Sequence, residues 1–193
     1  MKRRRAGQLR IIGGQWRGRK LPVPEGSVRP SSDRVRETLF NWLAPSLPGA
    51  RCLDLFAGTG ALGLEALSRG ANEAVLVEHD RHIAETLRRN LHTLHATGGQ
   101  VAAVDALTYL RGLASPFEIV FLDPPYWGDL LAPCCQALAE RGWLAASAYV
   151  YIEAHAGTGL PPLPAGWALS REGRAGQCRY RLLRAHTATE TQD

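Results

Sequence analysis

The sequence predicts an α/β fold in which helices cover both faces of a largely parallel sheet. From residue 51 onward, short apolar runs alternate with amphipathic stretches of helical period. A glycine-rich turn follows the first apolar run, and an acidic residue directly follows several of the runs. Strands that alternate with helices are joined by right-handed crossovers, which place the strands parallel and the helices on both sides of them.

The apolar runs are the predicted strands, and the stretches between them are the predicted helices. Strands are expected at residues 52–56, 74–77, 101–104, 117–122 and 149–152. Helices are expected to begin near Leu62, Arg81, Ala106 and Leu130. The alternation of strands and helices then ends, because the apolar runs 167–171 and 177–183 are separated by a segment too short for a helix. An antiparallel hairpin is predicted there.

The N-terminal part carries a second predicted hairpin, with short strands at 8–12 and 19–23 around Gly13 and Gly14. A helix is expected from Asp33 to Ala44, roughly 18 Å long. It is expected to span the sheet once and to bring residues 29–34 to the edge where the strands end. The predicted organisation is an arm with a hairpin over 1–28, a domain over 29–185 and a frayed tail over 186–193.

Positive charge is concentrated at the start of the chain. The 193 residues carry a net charge of +5, but residues 1–36 alone carry 11 basic and two acidic residues. The remaining 157 residues are mildly acidic, and only two of the 23 cations are lysine. Guanidinium groups suit forked contacts with phosphates, so this arm favours binding of a polyanion, although a solvated tail would show the same charge run.

Other simple features narrow the class of protein. The length and the 45% apolar content fit one packed core. No apolar run approaches a bilayer span, and the basic start leads into no apolar signal core, so a cytoplasmic location is expected. Four cysteines without a C-x-x-C pair indicate packing residues. His92 and His95 lack a third ligand, and no metal is predicted.

The turn after the first strand contains a G-x-G-x-x-G pattern at residues 58–63. Taken alone, the pattern indicates only that the backbone of this turn approaches a ligand closely. Asp54 lies four residues before Gly58, where a pyrophosphate would gain nothing from a carboxylate. A zwitterionic ligand with a cationic ammonium group would gain from it.

Four predicted strands are each followed by a carboxylate, at Asp54, Glu78, Asp105 and Asp123. Each acid alone is explained equally well as a helix cap or turn residue. Because the carboxyl ends of parallel strands share one edge, the four together predict a binding site. Glu78 suits both hydroxyls of a ribose, and Asp105 suits an adenine amino group.

Asp123 begins the sequence Asp-Pro-Pro-Tyr, residues 123–126, which is the most specific feature of the chain. Pro124 and Pro125 fix the backbone and donate no hydrogen bonds, so carbonyls and the carboxylate form a rigid acceptor surface. Such a surface suits the two hydrogens of a planar exocyclic amine, and Tyr126 suits stacking on the ring that bears it.

At these residues the sequence resembles the class I S-adenosylmethionine-dependent methyltransferases that modify exocyclic amines. Residues 10–21 and 29–43 extend the likeness to the bacterial RsmD family, over residues 9 to about 185. The resemblance implies a Rossmann-like, seven-stranded mixed sheet whose last strand is antiparallel. It also implies methylation of the N2 amine of one guanine in 16S rRNA, of the guanine-966 type, within the small ribosomal subunit. Ser31 stands where threonine is commoner in that family.

The residues expected to carry this chemistry form three groups. The catalytic candidates are Asp123, Pro124 and Tyr126. The residues expected to bind S-adenosylmethionine are Asp54, Phe56, Gly58, Gly60, Glu78, Asp105, Ala106 and Asp123. The residues expected to bind RNA are Arg3, Arg4, Arg5, Arg10, Arg17, Arg19, Lys20, Arg34, Arg36, Arg171 and Arg174.

Three other functions remain open at this point. Asp-Pro-Pro-Tyr serves the N6 amine of adenine in DNA equally well, although 193 residues leave no room for a sizeable target-recognition insert. A nicotinamide-dependent oxidoreductase would explain the glycines but would leave Asp-Pro-Pro-Tyr without a role. A catalytically silent RNA-binding module of the same fold would keep both features.

Overall fold

The computed structural model describes residues 7–23, 32–125, 130–157 and 159–186. Several of the predicted features lie outside these residues and are not described further. They are Arg3, Arg4, Arg5, Ser31, Tyr126 and the tail after residue 186.

A seven-stranded mixed sheet forms the centre of the protein, with strand order β5-β4-β3-β6-β7-β9-β8. All pairs from β5 to β7 are parallel, whereas β9 runs antiparallel to both of its neighbours. The expected seven-stranded sheet with an antiparallel last strand is confirmed. Its strands are β3 (Arg51–Asp54), β4 (Glu73–Val77), β5 (Gly99–Ala102), β6 (Phe117–Leu122), β7 (Leu144–His155), β8 (Trp167–Ala175) and β9 (Cys178–His186).

Helices pack on both faces of this sheet. One face carries α1 (Asp33–Leu43), α2 (Ala61–Ser68) and α3 (Arg81–Leu94), and the other carries α4 (Ala106–Leu110) and α5 (Leu131–Glu140). The side chains of β6 alternate between the two cores, with Phe121 in the first and Leu122 in the second. Cys52, Cys134 and Cys135 are buried free thiols within these cores. Among the described residues, no helix is long and apolar enough to cross a bilayer.

The predicted strands at the C-terminal side are longer in the structure than the sequence indicated. β7 covers 12 residues rather than the four expected, because it pairs with β9 from Ser147 to His155. Its polar positions, such as Ser147 and Glu153, interrupt the apolar run that periodicity detects. β5 begins at Gly99, two residues earlier than expected.

The N-terminal hairpin is formed by β1 (Gln8–Arg10) and β2 (Lys20–Pro22), and it packs on α2 and α3. In its turn, the Trp16 amide donates to Ser68 Oγ in the last turn of α2, at 3.0 Å. Nη1 of Arg19 donates to the Thr93 carbonyl near the end of α3, at 3.3 Å. Both helices end at the edge opposite the carboxyl ends of the strands. The hairpin turn therefore lies away from the Asp-Pro-Pro-Tyr edge.

Helix α1 crosses the strands instead of running along them. Its first turn contacts α2 through Arg36 and Glu65, Phe40 packs on Phe121 of β6, and Trp42 packs on Tyr180 of β9. The prediction that α1 spans the sheet lengthwise is wrong. The reason is that Leu39, Phe40 and Leu43 are fully buried, and Phe40 and the neighbouring Trp42 pack on two different strands.

Candidate active site

Asp54 closes β3 and lies beneath the glycine-rich turn. Its Oδ2 accepts a hydrogen bond from the Gly63 amide at 3.1 Å, whereas its Oδ1 is buried and has no hydrogen-bond partner. Burial raises the pKa of Asp54 to about 7, and the nearby backbone amides of Gly63 and Phe56 oppose that rise. A buried carboxylate oxygen without a donor is costly, so the site is prepared for a ligand that donates there.

Gly58 and Gly60 both have positive φ, at +49° and +79°, but they differ in what surrounds them. A Cβ at Gly60 would lie 2.7 Å from Leu87 and 2.9 Å from Leu64, inside the core. A Cβ at Gly58 would approach no atom more closely than the Phe56 carbonyl, at 3.9 Å. Gly60 is therefore required for packing of the turn, and Gly58 leaves the open surface on which a ligand can lie.

Glu78 directly follows β4 and holds the same turn in place. Its Oε2 accepts from the Gly58 amide at 2.9 Å, and its Oε1 accepts from the Asp80 amide at 2.8 Å. The His79 imidazole Nδ1 lies 3.0 Å from the same Oε1. A carboxylate has about four acceptor positions, so two backbone bonds leave capacity for further donors.

Asp105 caps helix α4. Its side chain accepts a hydrogen bond from the Thr108 amide at 2.9 Å. The next residue, Ala106, begins the helix and is buried. Hydrogen bonds from Thr108 hold the pKa of Asp105 below its ordinary value. The side chain is exposed at the same edge as Asp54 and Glu78, so capping and ligand binding are compatible.

Asp123 follows β6, and Pro124 and Pro125 continue from it, all three half-buried. Loss of hydration raises the pKa of Asp123 well above its ordinary value, and the nearby carboxylates Glu153 and Asp54 raise it further. Glu153 was not among the predicted site residues. The signal that could have identified it is the one that identified the others, since it directly follows an apolar strand run ending at Ile152.

The basic residues occupy three separate places. Arg171 and Arg174 are exposed on β8, whose turn to β9 lies at the Asp123 edge as expected, because Cys178 pairs with His155 at the end of β7. Exposed Arg34 begins α1. The third group belongs to the hairpin: Arg10, Arg17, Arg19 and Lys20 are all exposed.

Two expectations about these basic residues need correction. Arg17 and Arg19 lie in or beside the hairpin turn, near the ends of α2 and α3, and not at the Asp123 edge. Arg36 is only 1% exposed, and its Nη2 donates to Asp33 at 2.7 Å and to the Arg10 carbonyl at 3.0 Å. A guanidinium that is enclosed in this way cannot contact RNA, so Arg36 is a structural residue.

No group of three metal-ligating side chains that could hold an ion occurs in the part of the chain that the structure describes. The site is instead a row of carboxylates along one edge of the sheet. In strand order they are Asp105, Glu78, Asp54, Asp123 and Glu153.

Comparison with known proteins finds relatives over almost the whole chain. A family model described as "Conserved hypothetical protein 95" matches residues 9–184. The chain is 52% identical over 187 residues to "Ribosomal RNA small subunit methyltransferase D" of Escherichia coli strain K12, covering 96% of this chain and 94% of that protein. Among solved structures, "Putative methyltransferase yhhF from Escherichia coli" superposes with a TM-score of 0.89 at 52% identity, covering 94% of this chain and 99% of that one.

A more distant structure shows the same fold. The RNA methyltransferase from Salinibacter ruber, solved in complex with S-adenosyl-L-homocysteine, superposes with a TM-score of 0.62 at 19% identity. It covers 86% of this chain and 97% of that one.

Proposed function

This chain belongs to the RsmD family of S-adenosylmethionine-dependent small-subunit rRNA methyltransferases, and we propose that it methylates the N2 amine of one guanine in 16S rRNA. The proposal includes the guanine at position 966 as its target, the small ribosomal subunit or an assembly intermediate as its partner, and the cytoplasm as its location. The observation that carries it is the position of the half-buried residue Asp123, and of the proline backbone after it, at the strand edge beside Asp54.

The residues around the glycine-rich turn fit S-adenosylmethionine. The unpartnered Oδ1 of Asp54 suits the ammonium of its amino-acid end, and the open surface above Gly58 suits close approach of the ligand. Glu78 retains acceptor capacity for the ribose hydroxyls, and Asp105 with Ala106 lies farther along the edge where the adenine would bind. Phe56, half-buried beside the turn, would line the same surface. The cofactor supplies a methyl group on a sulfonium, and the protein holds the acceptor.

Guanine N2 is a poor nucleophile because its lone pair is delocalised into the ring. Hydrogen bonds from N2 to the Asp123 carboxylate and to the Pro124 carbonyl would draw the nitrogen toward tetrahedral geometry and localise that lone pair. Tyr126 is the proposed platform for the base. Acceleration then comes from positioning and from fixed electrostatics at the amine.

Binding of rRNA is assigned to the exposed basic residues. Arg171 and Arg174 lie beside the Asp123 edge and would contact phosphates around the target base. Arg34 begins α1, and Arg3, Arg4, Arg5, Arg10, Arg17, Arg19 and Lys20 would extend the contact along the N-terminal segment. Phosphate contacts of this kind position the RNA without reading its sequence.

One assay tests the proposal. The protein is incubated with S-adenosylmethionine labelled in the methyl group and with small subunits, naked 16S rRNA, DNA or no acceptor, and an Asp123→Ala variant serves as the control. We expect label in small subunits or rRNA, recovered as N2-methylguanosine after nuclease digestion, and little label with the variant. Label in DNA as N6-methyladenine would favour the DNA enzyme, and binding of RNA without label would favour the silent module.

A further inference from the structure

Glu153 lies directly beside Asp123 at the end of the sheet. Leu122 of β6 and Ile152 of β7 are partners in the parallel ladder, so Asp123 and Glu153 are the next residues of adjacent strands. Such strands are about 4.8 Å apart, and residues that follow a shared register position point to the same face. Glu153 is only 7% exposed to solvent, whereas Asp123 is half-buried and so more exposed. Glu153 is therefore placed behind Asp123, without a direct approach from solvent.

Two weakly acidic side chains hold the Glu153 carboxylate in position. The Tyr151 hydroxyl donates to Oε2 at 3.0 Å, and the Cys178 thiol donates to Oε1 at 3.0 Å. Burial raises the pKa of both donors above their ordinary values, with Glu153 adding to the effect. Both therefore stay protonated near neutral pH and remain donors. These two hydrogen bonds fix the position of the Glu153 carboxylate next to Asp123.

Asp123 meets titratable groups from three strands. Asp54 approaches from β3, Glu153 and Tyr151 from β7, and Cys178 from β9. The groups that shift its pKa are carboxylates, and no cation contributes among the described residues. The unpartnered, buried Oδ1 of Asp54 shows independently that this edge is built to receive a donor from a ligand.

In methyl transfer to an amine, the nitrogen lone pair forms the new N–C bond while the S–CH₃ bond of the sulfonium breaks and leaves its electron pair on sulfur, so the positive charge moves to the nitrogen until an N–H proton leaves. A carboxylate beside that nitrogen stabilises the charge, and its strength as a hydrogen-bond acceptor increases with its basicity. We propose that Glu153 is a positioning residue for the transfer, which acts through Asp123 by making that carboxylate a stronger acceptor for the exocyclic amine. The proposal rests on the proposed function, because it presumes that Asp123 receives an amine.

The test compares Glu153→Gln with a matched control, Glu118→Gln. Glu118 is an exposed residue of β6, the strand that Asp123 directly follows. It lies five positions before Asp123 and roughly 16 Å away, and its replacement also deletes one negative charge. The first measurement is the titration of the Asp123 carboxyl carbon by ¹³C NMR in the cofactor-free protein, assigned through its loss in Asp123→Asn. The second is the single-turnover rate of methyl transfer to small subunits as a function of pH.

Because Glu153 contributes to the raised pKa of Asp123, its replacement by glutamine makes ionisation of Asp123 easier. We therefore expect its titration midpoint to fall by about one pH unit or more in Glu153→Gln and to stay in place in Glu118→Gln. The acid limb of the rate profile should move in the same direction, and the plateau rate should fall about tenfold. An unchanged midpoint, or a shifted midpoint with an unchanged plateau rate, would overturn the proposal.

If Glu153→Gln does not fold, a second pair of variants tests whether Glu153 acts on Asp123. Cys178→Ala removes one of the two donors that fix the Glu153 carboxylate in place, so Glu153 acts less strongly on Asp123 and the midpoint of Asp123 falls by a smaller amount. Cys178→Ser keeps a donor at the same place and should restore the wild-type midpoint. Equal midpoints in the two variants would contradict the proposal. If the Asp123 midpoint falls in Glu153→Gln as expected but the wild-type protein methylates no RNA, the result contradicts the proposed function instead.

Discussion

Arg36 and Glu65 form an ion pair inside the protein, with Nη1 of the arginine 3.6 Å from Oε2 of the glutamate and both side chains at most 1% exposed. The same carboxylate accepts hydrogen bonds from the Ile12 and Gly13 amides, at 2.8 and 2.7 Å, and from Nε of Arg69 at 2.7 Å. Glu65 therefore joins α1, α2 and the N-terminal hairpin at one point. These contacts tie the described part of the hairpin to both helices.

Arg36→Ala should destabilise the protein strongly, whereas Arg34→Ala should not. Removing one partner of a buried ion pair leaves the other charge uncompensated, which costs about 3 to 5 kcal/mol. Arg34 is exposed two residues earlier in the same helix, so its loss should cost at most about 0.5 kcal/mol. Denaturant unfolding of the two variants measures the difference. Similar stabilities would show that the Arg36–Glu65 pair does not hold the hairpin in place.

The sequence predicted the position of site residues correctly where these residues directly follow the apolar run of a predicted strand. Asp54, Glu78, Asp105 and Asp123 could be placed on one edge because each follows an apolar run and parallel strands end together. Arg36 was misassigned to RNA because a charge count cannot distinguish an exposed guanidinium from one enclosed by Asp33 and Glu65. The path of α1 across the strands depends on which strands its apolar side chains cover, and that is a property of the tertiary packing.

Gly60→Val and Gly58→Ala should separate folding from cofactor binding. Valine at position 60 combines a positive φ with close contacts to Leu87 and Leu64, so it should lower stability by about 2 kcal/mol or more. Alanine at position 58 meets open space and should cost about 1 kcal/mol, while its methyl group narrows the ligand surface. Calorimetric affinity for S-adenosylhomocysteine should fall about tenfold or more in Gly58→Ala. An unchanged affinity would place the ligand elsewhere.

The buried carboxyl of Asp54 should make stability depend on pH. Its pKa is about 7 in the folded protein and ordinary, 3.8, in the unfolded chain. Between these values the folded state binds the extra proton, so stability falls as pH rises from about 4 to 7, by at most about 1.4 kcal/mol per unit. Asp54→Asn should therefore gain roughly 2 kcal/mol relative to wild type between pH 5 and pH 8. Parallel stability curves from urea unfolding would contradict the raised pKa.

Two of the three groups of exposed basic residues, represented here by one pair of arginines each, should both contribute to RNA binding, with different effects on catalysis. Arg171→Ala with Arg174→Ala removes cations at the Asp123 edge, and Arg17→Ala with Arg19→Ala removes them at the opposite edge. Each lost phosphate contact should reduce the slope of log affinity against log salt by roughly 0.7 to 0.9. Only the first pair should also lower the single-turnover rate at saturating RNA. An unchanged salt slope in the second pair would show that the hairpin turn does not contact RNA, and unchanged affinity for S-adenosylhomocysteine in both pairs is the control.

Substitution of Asp123 distinguishes a hydrogen-bond acceptor from an obligatory base. Asp123→Ala removes the acceptor and should lower single-turnover methyl transfer by about 10²-fold or more, the scale of losing one preorganised electrostatic contact. Asp123→Asn keeps a carbonyl oxygen, so it should retain measurable transfer between wild type and the alanine variant, without the acid limb in its pH profile. Affinity for S-adenosylhomocysteine should change little in either variant, which separates loss of chemistry from loss of binding. Equal inactivity of both variants would assign proton removal to Asp123, and a wild-type rate in Asp123→Ala would show that the Asp-Pro-Pro-Tyr segment is only a turn.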